Sequence, residues 1–565
     1  MGPMGTRNVV GGLGRGAVVL GLVALVGGGL AGCSSTGDDD AKATMTLDTR
    51  TYEGAEVSTT HGELAGTVEG RTRSFLGVPY AAPPTGERRW APPRPVASWE
   101  GTRAATKLGA ACEQRVSASY GEPSVAVSED CLFLNVHAPA SATGRRPVMV
   151  WFHGGGYTGG MGGDYDGRNL AADEDLVVVT VNYRLGVFGF LATSGLTATS
   201  SSDASGNYGI QDQRAALEWV HENIAAFGGD PGRVAIVGES AGAGSVCVHL
   251  LSPESRGLFD AAIMESGSCV GTQRTLTLQE AEREGDTFAA GVGCAGDDAE
   301  AAACLRSKPA DVLRDAGGGG STGGATSLPL RPIVDGKVLP GQPRTLIDDG
   351  KVNDVPVISG FNADEGSTFV YLEYELKGAP VTAEGYRAAV DKMFDDYVDV
   401  DEVVSHYALG DYRTPSNALA AARSDQSICR IMAGTKLFAG VVPTYTYEFA
   451  DRDTPFLGGK PATLDMGAGH GFELQYLFGS QGIPLVRTIP TPFNDRQRVV
   501  ARSLTGYWAA FLKAGDPGTG GGPDWPRYSP KNGRRLVFGS DASTVKAIPA
   551  DEHQCAFWAK VDASA

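Results

Sequence analysis

The run Phe227-Gly-Gly-Asp-Pro-Gly-Arg-Val-Ala-Ile-Val-Gly-Glu-Ser-Ala-Gly242 decides how this chain is read. Arg233–Val237 is a short β-branched segment entered through a Gly-Gly-Asp-Pro-Gly turn, which predicts a buried strand. It runs directly into Gly238-Glu239-Ser240-Ala241-Gly242, and a small-residue, helix-like segment follows through Leu251. A serine in G-x-S-x-G between strand and helix sits on a strained turn that lifts its hydroxyl above the sheet edge. Side chains at the flanking positions would collide where the chain reverses so tightly, hence the glycines. A small-residue turn with a solvated serine is the bland alternative. The strand before the turn and the helix after it favour a nucleophile.

An upstream stretch answers to the first. Pro147–Phe152 reads as another core strand and breaks into His153-Gly154-Gly155-Gly156-Tyr157. Glycines after a strand leave backbone N–H groups uncovered, which suits donation to a developing oxyanion. A flexible turn is the alternative for this stretch taken alone.

A serine nucleophile needs a base and an orienting acid, and on an α/β-hydrolase sheet they follow in the order Ser, acid, His. Four histidines lie downstream. His249 is roughly 13 Å along the elbow helix at 1.5 Å per residue, too far away. His406 falls in an amphipathic stretch, Val403–Leu409, and His553 in the polar C-terminal tail. His470, in Gly467-Ala468-Gly469-His470-Gly471 before the helix-like Phe472–Phe478, is the expected base. For the acid, the strand-like Val355–Phe361 ends in Asn362-Ala363-Asp364-Glu365-Gly366-Ser367, and spacing leaves both carboxylates open.

With these motifs in place, the sequence resembles the type-B carboxylesterase and cholinesterase family of α/β-hydrolases. Phe227–Gly242 fits that family's nucleophile signature, and Glu129-Asp130-Cys131-Leu132-Phe133-Leu134-Asn135-Val136 its second signature. Phe75–Ala81 with Pro83, Pro84, Gly86 and Arg89, then Asn182-Tyr183-Arg184, Gly206–Gly209 with Asp212-Gln213, and Cys555-Ala556-Phe557-Trp558 also match. The likeness spans roughly residues 49 to 562.

The resemblance implies Ser240 as nucleophile, Glu365 rather than Asp364 as acid, and His470 as base. It implies oxyanion donors at the amides of Gly155, Gly156 and Ala241, and supporting groups Glu239 and Ser266 around the imidazole. It pairs Arg89 with Glu129 and Arg184 with Asp212, and bridges Cys112 to Cys131, Cys294 to Cys304, and Cys429 to Cys555. Cys247 and Cys269 match no bridge and are expected to be two buried free thiols. Leu328 and Leu330 would lie on the acyl side of the site and give it aliphatic walls. Cholinesterases carry a tryptophan in the loop between the first two bridge cysteines, where it attracts quaternary ammonium. Here Glu113–Asp130 is shorter and contains only Tyr120 as an aromatic, so uncharged short- to medium-chain or aryl esters are the expected substrates. An amidase, carbamate hydrolase or thioesterase would use the same residues. A non-catalytic adhesion protein on this fold would be expected to lack Ser240.

The N-terminus indicates where the chemistry takes place. Arg7 and Arg15 precede an apolar, Gly-rich stretch, Ala17–Leu30, too short to span a membrane convincingly. It ends in Leu30-Ala31-Gly32-Cys33, which resembles a bacterial lipoprotein cleavage box. The expected organisation is a signal peptide over 1–32, a lipidated tether over 33–48 and one catalytic domain over 49–565. Lipid on Cys33 would hold the enzyme on the outer side of the cell membrane; simple secretion is the alternative. The remaining eight cysteines suit an oxidising compartment.

Composition agrees with this reading. A net charge of −18 argues against nucleic acid, and 42% hydrophobic residues can bury a large core. Scattered histidines give no zinc spacing, and the glycine clusters fit no phosphate or dinucleotide loop, so no metal or cofactor is expected. The run Ala316–Gly324, before Leu328, reads as a loop that would serve either as a lid or as a slack insertion. A monomer is the expected state.

Overall fold

The central strands are nearly unbroken apolar runs, and because successive side chains point to opposite faces each strand serves two interiors. The computed structural model describes residues 51–115, 123–270, 275–318, 328, 330–394, 398–455, 461–479, 492–549 and 552–563. The chain divides into two units, Met1–Leu47 and Asp48–Ala565, and all that follows concerns the second. Cys33 and its tether lie outside the described residues, as do Tyr120 and positions 319–327 of the glycine-rich loop.

Eleven described strands form one sheet. In chain order they are β1 (Thr67–Glu69), β2 (Thr72–Pro79), β3 (Phe133–Pro139), β4 (Arg146–Phe152), β5 (Val177–Val181) and β6 (Gly229–Glu239). Then come β7 (Ala261–Glu265), β8 (Val357–Asn362), β9 (Thr444–Phe449), β10 (Arg534–Phe538) and β11 (Ser543–Ala547). Their order across the sheet is β11-β10-β9-β8-β7-β6-β4-β5-β3-β2-β1. The body from β5 to β10 is parallel, and antiparallel pairs close both edges. This is the mostly parallel, helix-flanked sheet of an α/β-hydrolase.

A parallel sheet needs both faces covered. Met149 and Trp151 of β4 share one core with Ala235 and Val237 of β6 and with Ile263 and Ile358. Val148, Val150, Phe152, Val234 and Ile236 share the other. Helices α1 (Tyr208–Asn223) and α2 (Ala241–Leu251) supply Leu217, Val220, Val246 and Leu250 to the second core. Helices α3 (Glu365–Val370), α4 (Pro415–Phe438) and α5 (Asp495–Ala514) supply Val370, Leu419 and Trp508 to the first. Each such buried side chain contributes about 1.5–3 kcal/mol relative to exposure.

Four disulfides join described cysteines: Cys112–Cys131, Cys247–Cys269, Cys294–Cys304 and Cys429–Cys555. The second corrects the expectation of free thiols at Cys247 and Cys269. Helix α2 carries Cys247, and Cys269 follows the chain's exit from neighbouring β7, so the Cα atoms sit 5.4 Å apart, within bridging range. Sequence separation alone gave no hint of this closeness.

Both expected ion pairs form. Arg184 Nε and Nη2 each donate to Asp212 at 2.7 Å, fully buried. Arg89 Nε donates to Glu129 Oε2 at 2.6 Å. Removing one partner of a buried pair strands the other charge at a cost of about 3–5 kcal/mol. An exposed pair is worth about 0–1 kcal/mol. Asp212→Asn should therefore lower the unfolding midpoint far more than Asp173→Asn, which breaks an exposed contact with Arg71. Equal shifts in denaturant titrations of the two variants would show that the buried pair is not structural.

Candidate active site

Ser240 stands at the junction of β6 and α2 with φ 57° and ψ −119°. A positive φ is strained for any residue with a Cβ, and here the surrounding backbone imposes it. Ser240 N–H donates to the Glu265 carbonyl on β7 at 2.9 Å, and its own carbonyl accepts from Gly244 N–H at 3.0 Å. A Cβ on Gly242 would fall 2.0 Å from the Phe152 carbonyl oxygen, and one on Gly238 2.5 Å from the Gly242 backbone. The glycines therefore let the elbow press against the end of β4.

That contact brings the glycine loop over the serine. A Cβ on Gly154 would meet Glu239 Oε2 at 2.7 Å and Ser240 Cβ at 3.2 Å. Gly155 and Gly156 take φ of 114° and 59°, and their amides make no hydrogen bond to described backbone. The Gly155 carbonyl is turned away, accepting from Thr158 and Gly159 N–H. His153 anchors the loop: it is buried, stacks on Tyr183 at 4.4 Å, and its carbonyl accepts from the Tyr183 hydroxyl at 2.6 Å. Ala241 opens α2 beside the same loop, where the helix N-terminus favours negative charge.

Of the two carboxylates left open by spacing, the structure brings Glu365 to the imidazole. His470 Nδ1 donates to Glu365 Oε2 at 2.5 Å, while Glu365 Oε1 accepts from Asn362 N–H at 2.8 Å. Asp364 points elsewhere, to Arg452 Nη1 at 2.6 and 2.8 Å and to Ala468 N–H. Asp364 thus shapes the loop that carries His470 without touching the ring. His470 is 3% exposed, and the Phe369 ring packs on it with centroids 4.8 Å apart.

The other face of the imidazole meets Glu239. His470 Nε2 lies 3.0 Å from Glu239 Oε1, inside ion-pair distance, but the two are not aligned as a hydrogen bond. The Ser240 side chain makes no hydrogen bond among the described residues. Catalytic hydrogen bonds of this kind commonly tighten only when substrate is bound. Ser266, also at positive φ, is buried with its hydroxyl unpartnered among described residues.

Burial works against a charged His470, but Glu239 and Glu365 outweigh it and raise its pKa to about 9. Burial pushes Glu239 up to about 7; His470 opposes the shift and Glu365 adds to it. Two further acids were not singled out by sequence reasoning. Glu265, buried and held by the Trp508 indole at 2.8 Å, is raised by burial and by Glu239 to about 8. Glu473, buried and bonded to Asn362, is raised further by burial and then by Glu239, Glu265 and Glu365. The available signals were Glu265 closing an apolar run and Glu473 three residues after His470.

The other three histidines downstream of Ser240 have other partners. His249 sits in the core between Ser255 and Gln213, and burial lowers its pKa to about 3. His406 is exposed and stacks on Phe557, and His553 faces Asp425. Leu330 is buried and Leu328 half-buried, in a cluster that also holds Phe188 and Phe190.

Residues 53–558 match the profile of the carboxylesterase family. A cholinesterase of Mus musculus is 34% identical over 520 residues, covering 86% of this chain and 83% of the relative. An acetylcholinesterase of Electrophorus electricus is 33% identical over 545 residues, covering 86% and 84%. With a serine elbow, a buried histidine and carboxylate, and this likeness along nearly all of its length, the chain belongs to the carboxylesterase family and is a carboxylic ester hydrolase.

Proposed function

We propose that Ser240 is the nucleophile of a two-step acyl-enzyme reaction, with His470 as base and Glu365 as its orienting acid. The carrying observation is the Glu365–His470 hydrogen bond held beside the strained Ser240 elbow under the Gly154–Gly156 loop. His470 Nε2 turns from Glu239 to take the Ser240 proton as the hydroxyl attacks the ester carbonyl. The amides of Gly155, Gly156 and Ala241 receive the oxyanion, and His470 returns the proton to the departing alcohol. Water then repeats the two transfers and frees the acid. Glu239 adds charge stabilisation to the imidazolium formed in both steps.

Ser240→Ala should fold normally and lose roughly 10⁶-fold in kcat, and an organophosphate should label Ser240 alone. Glu365→Gln should impair turnover far more than Asp364→Asn, because only Glu365 holds the imidazole tautomer. The reverse ranking, or labelling at another serine, would overturn the assignment.

The pH profile tests the electrostatics separately. The base must be neutral to accept a proton, so kcat/KM should climb as pH rises towards about 9. Glu239→Gln removes one of the two charges that favour imidazolium and should move that limb down by about 1–3 pH units. An unmoved or upward-shifted limb would contradict the charge assignment.

We propose esters of short- to medium-chain or aryl acids as substrates, with choline esters disfavoured, because Glu113–Asp130 contains no tryptophan. Acetylcholine should be hydrolysed more slowly than its uncharged carbon isostere, dimethylbutyl acetate. Faster hydrolysis of acetylcholine would refute this.

We also propose that Cys33 carries a diacylglyceryl anchor, on the strength of the Leu30–Cys33 motif. Two acyl chains, each contributing about 0.8 kcal/mol per buried CH₂, suffice for stable anchoring. Full-length protein should enter the detergent phase, and Cys33→Ser should stay in the aqueous phase. Wild-type protein in the medium with another N-terminus would indicate secretion.

A further inference from the structure

Neither the proposed proton transfers nor the oxyanion loop uses Cys247 or Cys269, yet their bridge joins the two segments that fix Ser240 in place. Cys247 is fully buried on α2, about two helical turns after Ser240. Cys269 is half-buried on the chain leaving β7, three residues beyond Ser266. It is the one described bridge that the family resemblance did not imply.

The exit of β7 sets the place of the serine. Ser240 N–H donates to the Glu265 carbonyl at 2.9 Å, and Ser266 N–H donates to the Gly360 carbonyl on β8 at 2.9 Å. A φ of 52° at Ser266 then turns the chain out of the sheet. A Cβ on Gly267 would fall 2.3 Å from the Ser240 carbonyl oxygen and 2.9 Å from Ala243 Cβ, so this backbone lies directly on the first turn of α2. Beyond that contact the support is thin. Among the described residues, the amides of Gly267, Ser268 and Cys269 donate to no backbone carbonyl. Helix α4 approaches at Ser268, where a Cβ on Gly434 would lie 2.7 Å from the hydroxyl oxygen. Ser266, Gly267, Ser268, Cys269 and Val270 all line a cavity of about 280 Å³, which gives the segment room to withdraw from α2. The bridge holds the Cα atoms of Cys247 and Cys269 5.4 Å apart and removes that freedom.

We propose that the Cys247–Cys269 bridge is a positioning device for the reacting serine: it clamps the exit of β7 against the first turn of α2 and so keeps Ser240 at its strained φ. The proposal rests on the Ser240 reading and adds to it two residues that touch neither substrate nor reacting atoms. A positive φ persists only where its surroundings over-determine it, and the bridge supplies this on the side of β7, next to the cavity. A disulfide stabilises a fold chiefly by constraining the unfolded chain, and more so for a longer loop. The sequence separation is 22 for this bridge and 126 for Cys429–Cys555. A purely structural role therefore makes Cys429–Cys555 the more consequential bridge, whereas a positioning role makes Cys247–Cys269 the more consequential one for turnover.

The test measures kcat per organophosphate-titrated site, so that unfolded protein does not count, together with unfolding midpoints. A non-reducing peptide map of the wild type should first show Cys247 and Cys269 linked. Cys247→Ala, Cys269→Ala and the double variant should each lower kcat by about 10–100-fold with KM little changed, as expected when a reacting group is displaced by about 1 Å. Each single substitution already breaks the bridge, so the double variant should be no worse than either single. Cys429→Ala/Cys555→Ala should show the reverse, with the larger fall in midpoint and near-wild-type kcat. Should Cys247→Ala not fold, Cys269→Ala carries the comparison alone. Unlinked thiols in the wild type, additive losses in the double variant, or unchanged kcat per site in the bridge variants would overturn the clamp while leaving Ser240 labelled. A wild type that the organophosphate does not label at Ser240 would instead overturn the Ser240 reading.

Discussion

The active centre depends on one steric constraint, the backbone contact between the end of β4 and the first turn of α2. Where a Cβ would lie only 2.0 Å from the Phe152 carbonyl, no residue other than glycine fits at Gly242 without moving a central strand. The contact forces the chain to reverse within one residue, and that residue, Ser240, takes a positive φ. It also brings Gly154 against Ser240 and Glu239, so the loop that exposes free amides and the hydroxyl that needs them share one position. Strain of about 1–3 kcal/mol at such a residue persists only where the neighbouring structure over-determines it. Here the two strands beneath, β4 and β6, are buried on both faces, which supplies that determination.

Charge is the second constraint, and it is concentrated against intuition. Glu239, Glu265, Glu365 and Glu473 are each no more than 2% exposed, in a protein already strongly acidic. Burying several anions together is unfavourable unless some are neutralised. The structure provides for both outcomes. Glu239 and Glu365 flank His470 and raise its affinity for a proton, whereas Glu265 and Glu473 are pushed towards the protonated form. One imidazole thus sits where its positive form is well matched, the form it would take on accepting the Ser240 proton in the proposed mechanism. The electrostatics favour the imidazolium over the neutral ring, which steadies the charge once a proton arrives but also means the ring must first be deprotonated to act as a base.

Local pattern made the fold legible and left contacts between distant segments hidden. The β-branched runs at Val234–Val237 and Val148–Phe152 announced strands because burial on both faces demands such residues, and both proved central. The strand at the elbow begins earlier than its apolar core suggests, at Gly229, because β4 extends its pairing to the turn at Arg146. The preference for Glu365 over Asp364 came from family habit; spacing could not decide it, since both side chains leave the same turn and only the third dimension separates Arg452 from His470. The Cys247–Cys269 bridge was invisible for the same reason: it joins a helix to the exit of a neighbouring strand, a proximity set by the sheet and not by sequence distance. Glu265 and Glu473 were passed over because acids near strand and helix ends are ordinarily solvated.

The packing of α4 follows the same logic. Arg423 lies on a helix whose sequence reads as ordinary amphipathic surface, and only the packing of α4 against α3 brings it over the Phe369 ring that packs on His470. His470 therefore lies between acids on one side and, through the Phe369 ring, a guanidinium on the other, whose charge works against protonation of the ring.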